Sequence, residues 1–361
     1  MKLDPSSSER LALLRFPLIV GVVFIHAYGS AVAFDNGATV VGDEQAAPAA
    51  AFVQNLISQG LARVAVPLFF WMSGFFFFLD YGGTRREYGA KLRARVRTLL
   101  VPFLFWNAAT LLVFGVAQAL PATRGMFAAA TRSVCDYGLA DYLSALLGLE
   151  RFPAAYQFWF IRDLMVVVLL APVGHLLLRF VPRISVLILL GLWFFDAWPV
   201  AIPSAAAVAF FHAGAWCART GFRPAALDRF AVPLLAAFAA VVLMDAQGSG
   251  RDGPAALHPA GILLGMASAL VLSGPLARTR RLKKSLLAAG SCSFFVFAVH
   301  EPLLTVFKKT AFLVFRPESG AAVLVLYFAV PLAVIALALL VHGALRRLAP
   351  RLLAGIAGGR A

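Results

Sequence analysis

Residues 11–34 read LALLRFPLIVGVVFIHAYGSAVAF, an apolar run interrupted by Arg15 and His26. A helix crosses the hydrocarbon core of a bilayer in about 20 residues, so this run is long enough to span a membrane. Nine further apolar stretches follow it, at about 60–80, 98–119, 158–179, 184–198, 203–218, 231–246, 258–275, 287–308 and 320–345. The sequence therefore predicts an all-α polytopic membrane protein with about ten transmembrane helices, forming a single domain over residues 1–361.

The composition supports a membrane protein and argues against other classes. Of the 361 residues, 61% are hydrophobic and only 14% are charged, against about 25% charged in soluble domains. The net charge of +15 comes mostly from short cationic runs between apolar stretches, so we expect contact with membrane lipids and no nucleic-acid partner. Cys135, Cys217 and Cys292 have no metal-binding spacing, and the sequence predicts neither a disulfide nor a metal site.

The distribution of Lys and Arg along the chain predicts which loops face the cytoplasm. If the N-terminus is inside, the inner segments hold 22 of the 32 cations, and the outer loops hold seven: Arg124, Arg132, Arg151, Arg251, Lys308, Lys309 and Arg316. Cytoplasmic loops of membrane proteins carry an excess of Lys and Arg. Ten spans return the chain to the side where it began, so we expect both termini in the cytoplasm.

Arg15 and His26 lie eleven residues apart in the first predicted span. Eleven steps of about 100° bring both side chains to one face of the helix, separated by about 16 Å along its axis. Ionisable groups inside a membrane are costly and commonly mark a functional site. One interpretation is a polar path along this face; the other is that Arg15 extends to the lipid headgroups while His26 hydrogen-bonds a neighbouring helix. The spacing does not choose between them.

The second and third spans carry further polar signals. Arg63 opens the second span, where Ser73 and Gly74 permit close helix packing or backbone approach. Arg93 and Arg97 precede the third span and share a helix face. These two arginines are either an ordinary cytoplasmic anchor or a clamp for phosphate, which arginine recognises with two parallel hydrogen bonds.

Two later spans also hold ionisable groups at membrane depth. Arg162 and Asp163 are adjacent and point about 100° apart on a helix, so we expect them to pair with other helices. With Trp159 beside them, they are either structural or part of a sugar site, since aromatic faces and charged hydrogen-bonding groups suit polar ligands. His300 and Glu301 lie in the ninth span, where they either hydrogen-bond within the bundle or help to position a substrate.

In their order and spacing these segments resemble the integral membrane acyltransferase 3 family, which includes bacterial O-acetyltransferases. The resemblance covers essentially the whole chain. It rests on five segments: Arg15 to His26, Arg63 to Gly74, the basic run into Leu99-Leu100-Val101-Pro102, Phe158 to Leu164, and Val299-His300.

The resemblance implies a membrane O-acyltransferase of the bacterial cytoplasmic (inner) membrane. It would move an acyl group, expected to be acetyl, from cytoplasmic acyl-CoA to a hydroxyl of a glycan, glycolipid or related cell-envelope acceptor. Acetyl-CoA would be a co-substrate, with no tightly bound cofactor and no metal.

The resemblance also suggests roles for the polar residues. His26 would be the general base, aided by Arg15, because imidazole titrates near neutral pH; an acyl-histidine relay is the variant mechanism. Arg93 and Arg97 would bind the donor. The remaining polar groups would bind or orient the acceptor: Arg63, Ser73, Trp159, Arg162, Asp163, His300 and Glu301.

Two other functions fit the same physical pattern. Intramembrane Arg, His and Asp in a helical bundle also suit a transporter or flippase of a lipid-linked sugar or small solute, without chemistry. A membrane scaffold or sensor is the third hypothesis. Consumption of acyl-CoA separates the enzyme from both, whereas the acceptor and the oligomeric state are not encoded in any motif.

Overall fold

The structure is a computed structural model that describes residues 4–29, 31–33, 39–41, 48–121, 123, 132–150, 152–247 and 255–359. Within these ranges the chain is helical apart from its turns and one short antiparallel pair of strands, β1 (Ala31–Ala33) and β2 (Thr39–Val41). Some cations of the predicted charge distribution lie outside the described residues: Lys2, Arg124, Arg151, Arg251 and Arg360.

The described α-helices follow one another along the chain with short connections. In order they are α1 (Pro5–Ala27), α2 (Pro48–Gln54), α3 (Ala65–Leu79), α4 (Arg85–Arg95), α5 (Val101–Ala119), α6 (Leu139–Leu147), α7 (Trp159–Leu169), α8 (Ala171–Phe180), α9 (Pro182–Phe194), α10 (Ala205–Arg219), α11 (Ala231–Gln247), α12 (Leu257–Arg278), α13 (Arg280–Phe315), α14 (Gly320–Leu348) and α15 (Pro350–Ile356). Wider or tighter helical turns link or extend them at Asn55–Leu61, Ala62–Val64, Val96–Leu100, Val134–Asp136, Tyr156–Phe158 and Pro224–Phe230.

Several helical segments of the described chain are long enough to span a membrane, as the hydropathy pattern predicts. Seven helical segments there are long and apolar enough to cross a bilayer: Pro5–Ala27, Pro48–Leu79, Arg85–Ala119, Pro224–Gln247, Leu257–Arg278, Arg280–Phe315 and Gly320–Leu348. An eighth span results if Tyr156–Leu169 and Ala171–Phe180 are taken together. The protein is thus an all-α polytopic membrane protein.

The remaining predicted spans coincide with shorter or broken helices. The predicted stretch 158–179 bends by 57° between α7 and α8, where Pro172 lacks the N–H that would continue the hydrogen-bond ladder. The predicted stretches 184–198 and 203–218 correspond to α9 and α10, of 13 and 15 residues. Because neither reaches about 20 residues, the number ten stays a prediction.

Much of the apolar surface faces outward, as a bilayer requires. In α11 only Val242 and Ala246 are buried, although the segment that contains it is strongly apolar. In water such a face would be an unusually large exposed hydrophobic patch. Lipid is the environment in which it carries no penalty.

Glycine permits the closest helix contact in the bundle, between α3 and α10. A Cβ placed on Gly74 would overlap the carbonyl oxygen of Phe211, and one on Gly214 would overlap the carbonyl oxygen of Trp71. The two backbones therefore touch through reciprocal glycines, which is how membrane helices gain packing without a hydrophobic driving force. The predicted close packing at Gly74 is confirmed, and it fixes the helix that carries Ser73 and that follows the turn containing Arg63.

The buried side chain of Arg10 fixes the N-terminal end of α1 against α12 and against the turn Pro224–Phe230. Arg10 donates two hydrogen bonds of 2.8 Å to the carboxylate of Asp228, one of 2.9 Å to Ser273 and one of 2.7 Å to the carbonyl of Leu270. Paired and hydrogen-bonded in this way, a guanidinium is tolerated at low dielectric. Arg10 is therefore a structural residue that sets the position of the helix carrying Arg15 and His26.

Candidate functional site

Three helices present continuous stripes of side chains to a common interior space. On α1 the stripe contains Arg15, Ile19, Val22 and His26, at steps of four, three and four residues. This spacing keeps the side chains on one face, so the predicted shared face of Arg15 and His26 is confirmed. Together with side chains of α3 and α7, this stripe lines two cavities that lie one after the other along α1.

The larger cavity has a volume of about 680 Å³ and surrounds the part of α1 nearer its N-terminus. Its walls are mostly apolar and aromatic, and its lining comprises Ala12, Arg15, Ile19, Val22, Val66, Phe69, Met72, Ser73, Phe76, Arg95, Leu99, Phe160, Ile161, Leu164, Leu287, Gly290, Ser291, Ser293, Phe294 and Phe297. Arg15 and Arg95 are the charged groups in this lining, and no carboxylate of the described chain joins them. The cavity therefore combines an anion-attracting end with a long apolar body.

The structure places the predicted donor-binding arginines outside this cavity. Arg93 and Arg97 are exposed, and the Arg93 Nε donates to the carbonyl of Gly89 at 3.3 Å. Arg95 lies two residues from each, about 200° away around the helix, and its side chain lines the cavity. Spacing showed that Arg93 and Arg97 share a face, but only the packing of α4 reveals that this face points outward.

The second cavity, of about 430 Å³, surrounds the C-terminal part of α1. Its lining comprises Val22, Ile25, His26, Arg63, Val66, Pro67, Trp159, Trp193, Phe194, Asp196, Ala206, Ala255, His258, Pro259 and Ile262. Two tryptophan rings, an arginine, an aspartate and two histidines thus face one space. Such a mixture of aromatic faces and polar groups suits a ligand with several hydroxyls. Of the predicted acceptor residues, Arg63 and Trp159 lie here, whereas Ser73 lines the larger cavity.

His26 is held by a chain of hydrogen bonds that the sequence did not predict. The Tyr156 hydroxyl lies 2.8 Å from His26 Nδ1 and 3.2 Å from Glu301 Oε1, while Thr305 donates to Glu301 Oε2 at 2.8 Å. A hydroxyl has one proton to donate. If Tyr156 donates it to the Glu301 carboxylate, it accepts the Nδ1–H of His26, and Nε2 of His26 is left as the basic nitrogen.

The turn that carries Tyr156 is anchored on both sides of this residue. The backbone N–H of Ala155 donates to Asn107 Oδ1 at 2.9 Å. The amide of Gln157 donates to the carbonyls of Ala298 and Glu301, both at 3.2 Å. Ala298 lies four residues before Pro302, whose missing N–H leaves that carbonyl without its helical donor. Tyr156 is therefore fixed by buried contacts, although it precedes the fourth span in a loop with no recognisable motif.

His300 packs beside His26 but is bonded differently. The two imidazole centroids lie 5.3 Å apart. Nδ1 of His300 donates to the carbonyl of Phe297 at 2.6 Å, and its buried Nε2 meets no hydrogen-bond partner in the described chain. His300 thus offers a buried acceptor next to His26, and Glu301 extends the network from the kink that follows it, where α13 leaves helical geometry.

Arg162 and Asp163 form a structural clamp outside both cavities. Arg162 donates to Asp163 Oδ1 at 2.8 and 3.0 Å and to the carbonyl of Gly148 at 2.7 Å. The other carboxylate oxygen, Oδ2, accepts the backbone N–H of Ser204 at 2.8 Å. The prediction that they pair with other helices instead of with each other is wrong, because the guanidinium bends back to the neighbouring carboxylate. Their further bonds reach backbone groups that cap two other helices, Gly148 after α6 and Ser204 before α10. The clamp joins α7, which carries Trp159, to the start of α10.

Comparison with known proteins gives the class to which this arrangement belongs. The sequence profile of the acyltransferase domain family (acyltransferase 3) matches residues 9–342, which include every residue of both cavities. The chain therefore belongs to this family of membrane acyltransferases.

A particular relative supports the same assignment. The chain is 30% identical over 367 residues to the succinoglycan biosynthesis protein ExoH of Rhizobium meliloti (strain 1021), and the match covers 99% of this chain and 94% of that protein. No solved structure matches the chain significantly.

Proposed function

We propose that the protein transfers an acyl group from cytoplasmic acyl-CoA to a hydroxyl of a cell-envelope polysaccharide or its glycolipid precursor, in the bacterial inner membrane. The observation that carries the proposal is the position of His26, which faces the aromatic and polar cavity on the same helix stripe that carries Arg15 into the larger one. The similarity to ExoH, a succinoglycan biosynthesis protein, favours a polysaccharide acceptor. Acetyl is the acyl group that we propose first.

In this proposal the larger cavity holds the donor. Arg15 and Arg95 would attract the phosphates of coenzyme A, since guanidinium groups bind phosphate with charge-assisted hydrogen bonds. The apolar walls beyond them suit the pantetheine arm and the acyl group. Two further arginines on the same segment, Arg93 and Arg97, are exposed. We propose that they contact the nucleotide end of the donor outside the cavity.

The second cavity would hold the acceptor. Trp159 and Trp193 offer flat apolar faces for a sugar ring, while Arg63 and Asp196 offer a donor and an acceptor for its hydroxyls. Ser73 would act on the donor side. Arg162 and Asp163 would act indirectly, by holding the helix that presents Trp159.

The reaction then needs one base and one leaving thiolate. Nε2 of His26 takes the proton from the acceptor hydroxyl, whose oxygen attacks the thioester carbonyl carbon. A C–O bond forms, the C–S bond breaks, and the CoA thiolate receives the proton from His26. Tyr156 and Glu301 hold His26 in the tautomer with Nδ1 protonated, as the orienting group does in other histidine-based acyl transfer.

An acyl-histidine relay is the variant of this mechanism. Nε2 of His26 would attack the thioester, and the acceptor hydroxyl would then take the acyl group from the ring. Both routes release one CoA for each ester formed. Trapping of acylated protein in the absence of acceptor separates them.

The experiment is to measure CoA release by the purified protein given acetyl-CoA and a crude envelope-polysaccharide fraction. His26→Ala is compared with wild type and with His212→Gln, a buried histidine that bonds Ser185 and lines neither cavity. We expect release from wild type and His212→Gln and background release from His26→Ala. Solute movement across vesicles without CoA release would instead favour the transporter or flippase.

A further inference from the structure

The two cavities meet at a pair of valines. Val22 of α1 and Val66 of α3 are the described residues that line both cavities. On α7 the division falls between consecutive residues, with Trp159 in the second cavity and Phe160 in the larger one. Three helices therefore change from one cavity to the other at the same level. Val22 and Val66 form a common wall there, which we call the valine pair.

The valine pair is held firmly by its surroundings. Val22 is only 4% exposed, and Val66 packs against the same core. Next to Val22, Gly21 lies so close to the turn before α3 that a Cβ there would touch Ala62 at 3.5 Å. Valine also has a single strongly preferred χ1 rotamer in a helix. Neither side chain can swing away as a leucine or methionine would, so the wall between the two cavities has a defined shape.

The proposed reaction requires the acyl group to move from the larger cavity to the second cavity, past the valine pair. The donor lies on the side of Arg15 and Arg95, whereas His26 and the sugar-binding groups lie on the other side. The acyl group must pass or reach between the valines, while coenzyme A and the sugar ring remain in their own cavities. A fixed gap lined by methyl groups admits a short, apolar chain and excludes a wide or hydroxylated ring.

We propose that Val22 and Val66 form a size filter that sets which acyl groups the protein transfers. This inference rests on the proposed function and adds its acyl specificity: narrow, unbranched acyl groups pass, and branched ones are rejected. Each valine that is shortened widens the filter, and each one that is lengthened narrows it. The filter acts on transfer and not on binding of the nucleotide end of the donor.

The test compares CoA release with acetyl-, butyryl-, isobutyryl- and hexanoyl-CoA in the presence of the same polysaccharide fraction. Val22→Ala and Val66→Ala are the widened variants, and Val66→Ile is a narrowed variant that retains packing. Val167→Ala is the matched control, because it deletes the same two methyl groups at a residue that is 4% exposed and lines neither cavity.

We expect the widened variants to raise the rate with isobutyryl-CoA relative to acetyl-CoA by about tenfold, since one methyl-sized group in a fitted site changes discrimination by at least that much. Val66→Ile should lower the isobutyryl to acetyl ratio, and Val167→Ala should match wild type. Unchanged ratios in all four variants, with CoA release still lost in His26→Ala, would overturn the filter and leave the function intact. No transfer by the wild-type protein from any donor would overturn both.

Discussion

At the scale of the residue, the proposed reaction depends on side chains that other segments bring to α1: Tyr156 contacts His26, and Arg95 shares the larger cavity with Arg15. Arg15 and His26 are separated by a whole number of helical turns, so a period alone puts them on one face. Tyr156 and Arg95 had no such signal. Tyr156 lies in a turn whose position depends on Asn107 and α13, and Arg95 was one of several cations in a basic run. Only tertiary packing distinguishes the side chain that faces the cavity.

The hydrogen bond from Tyr156 to His26 gives the first prediction. Tyr156→Phe keeps the ring but removes the hydroxyl that joins His26 to Glu301. We expect kcat for CoA release to fall by about 10²-fold, the range of positioned acid–base effects, with KM for acetyl-CoA unchanged because the donor cavity is intact. Steady-state kinetics on the purified protein measure both. A raised KM with unchanged kcat would contradict the positioning role, and Tyr142→Phe, in the outer segment, is the matched control.

The donor arginines give the second prediction. Arg95→Ala should raise KM for acetyl-CoA by about tenfold, because Arg95 lines the cavity with Arg15 and a charge-assisted bond to phosphate is worth about 1.5–3 kcal/mol. Arg93→Ala should change KM by less than about threefold, since exposed ionic contacts contribute little. Equilibrium binding of desulfo-CoA or CoA itself provides an independent readout. Equal effects of the two substitutions would contradict the assignment of Arg95 to the donor cavity.

At the scale of the element, hydropathy predicted where helices lie, but not where they bend or how they pack. Each of the ten predicted stretches overlaps a described helix, but the first, 11–34, continues beyond the end of α1 at Ala27 into β1. The predicted stretch 158–179 nevertheless breaks at Leu170, and 287–308 belongs to a helix that extends from Arg280 to Phe315. A helix can continue beyond the bilayer with apolar residues that are buried in the protein. Hydropathy therefore does not show where a helix begins or ends. The sequence predicted close packing at Gly74, but it did not predict that α10 packs there through Gly214, because a single segment does not show which helix is its neighbour.

The glycine contact gives the third prediction. Gly74→Ala should lower the free energy of unfolding by about 1–3 kcal/mol, the usual cost of overpacking a fitted core, because its methyl group would overlap the backbone of α10. Gly191→Ala in α9 is the control, since nothing lies within 4 Å of its added Cβ, and it should be neutral or stabilising by about 0.5–1 kcal/mol. Thermal unfolding in detergent measures both. Equal stability of the two variants would show that α3 and α10 are not in backbone contact.

At the scale of the whole molecule, the charge distribution predicts how the protein is oriented in the membrane. The excess of Lys and Arg in alternate loops predicts both termini in the cytoplasm. That orientation would place the Arg15 and Arg95 end of the larger cavity towards the cytoplasm, where acyl-CoA is found. The family assignment confirms the class of enzyme. With this predicted orientation, the order of the two cavities along α1 would give transfer a direction, from the cytoplasm outwards.

The orientation gives the fourth prediction, which uses the protein's own cysteines. Cys135 is an exposed free thiol in the predicted outer segment between α5 and α6, whereas Cys217 and Cys292 are partly buried in helices. A membrane-impermeant maleimide added outside intact inner-membrane spheroplasts should label wild type and fail to label Cys135→Ser. Labelling of Cys135 only after permeabilisation would reverse the orientation and the proposed side of donor entry.

We propose above that His26 is the general base for transfer of an acyl group from acyl-CoA to a polysaccharide hydroxyl. The measurement that tests it most directly supplies acyl-labelled acetyl-CoA to membranes containing wild type, His26→Ala or His212→Gln, with the envelope-polysaccharide fraction as acceptor. The polysaccharide is then recovered, and the label released from it by mild alkali is counted. We predict alkali-labile label with wild type and His212→Gln and background with His26→Ala. Equal incorporation by His26→Ala, at equal protein in the membrane, would contradict the account.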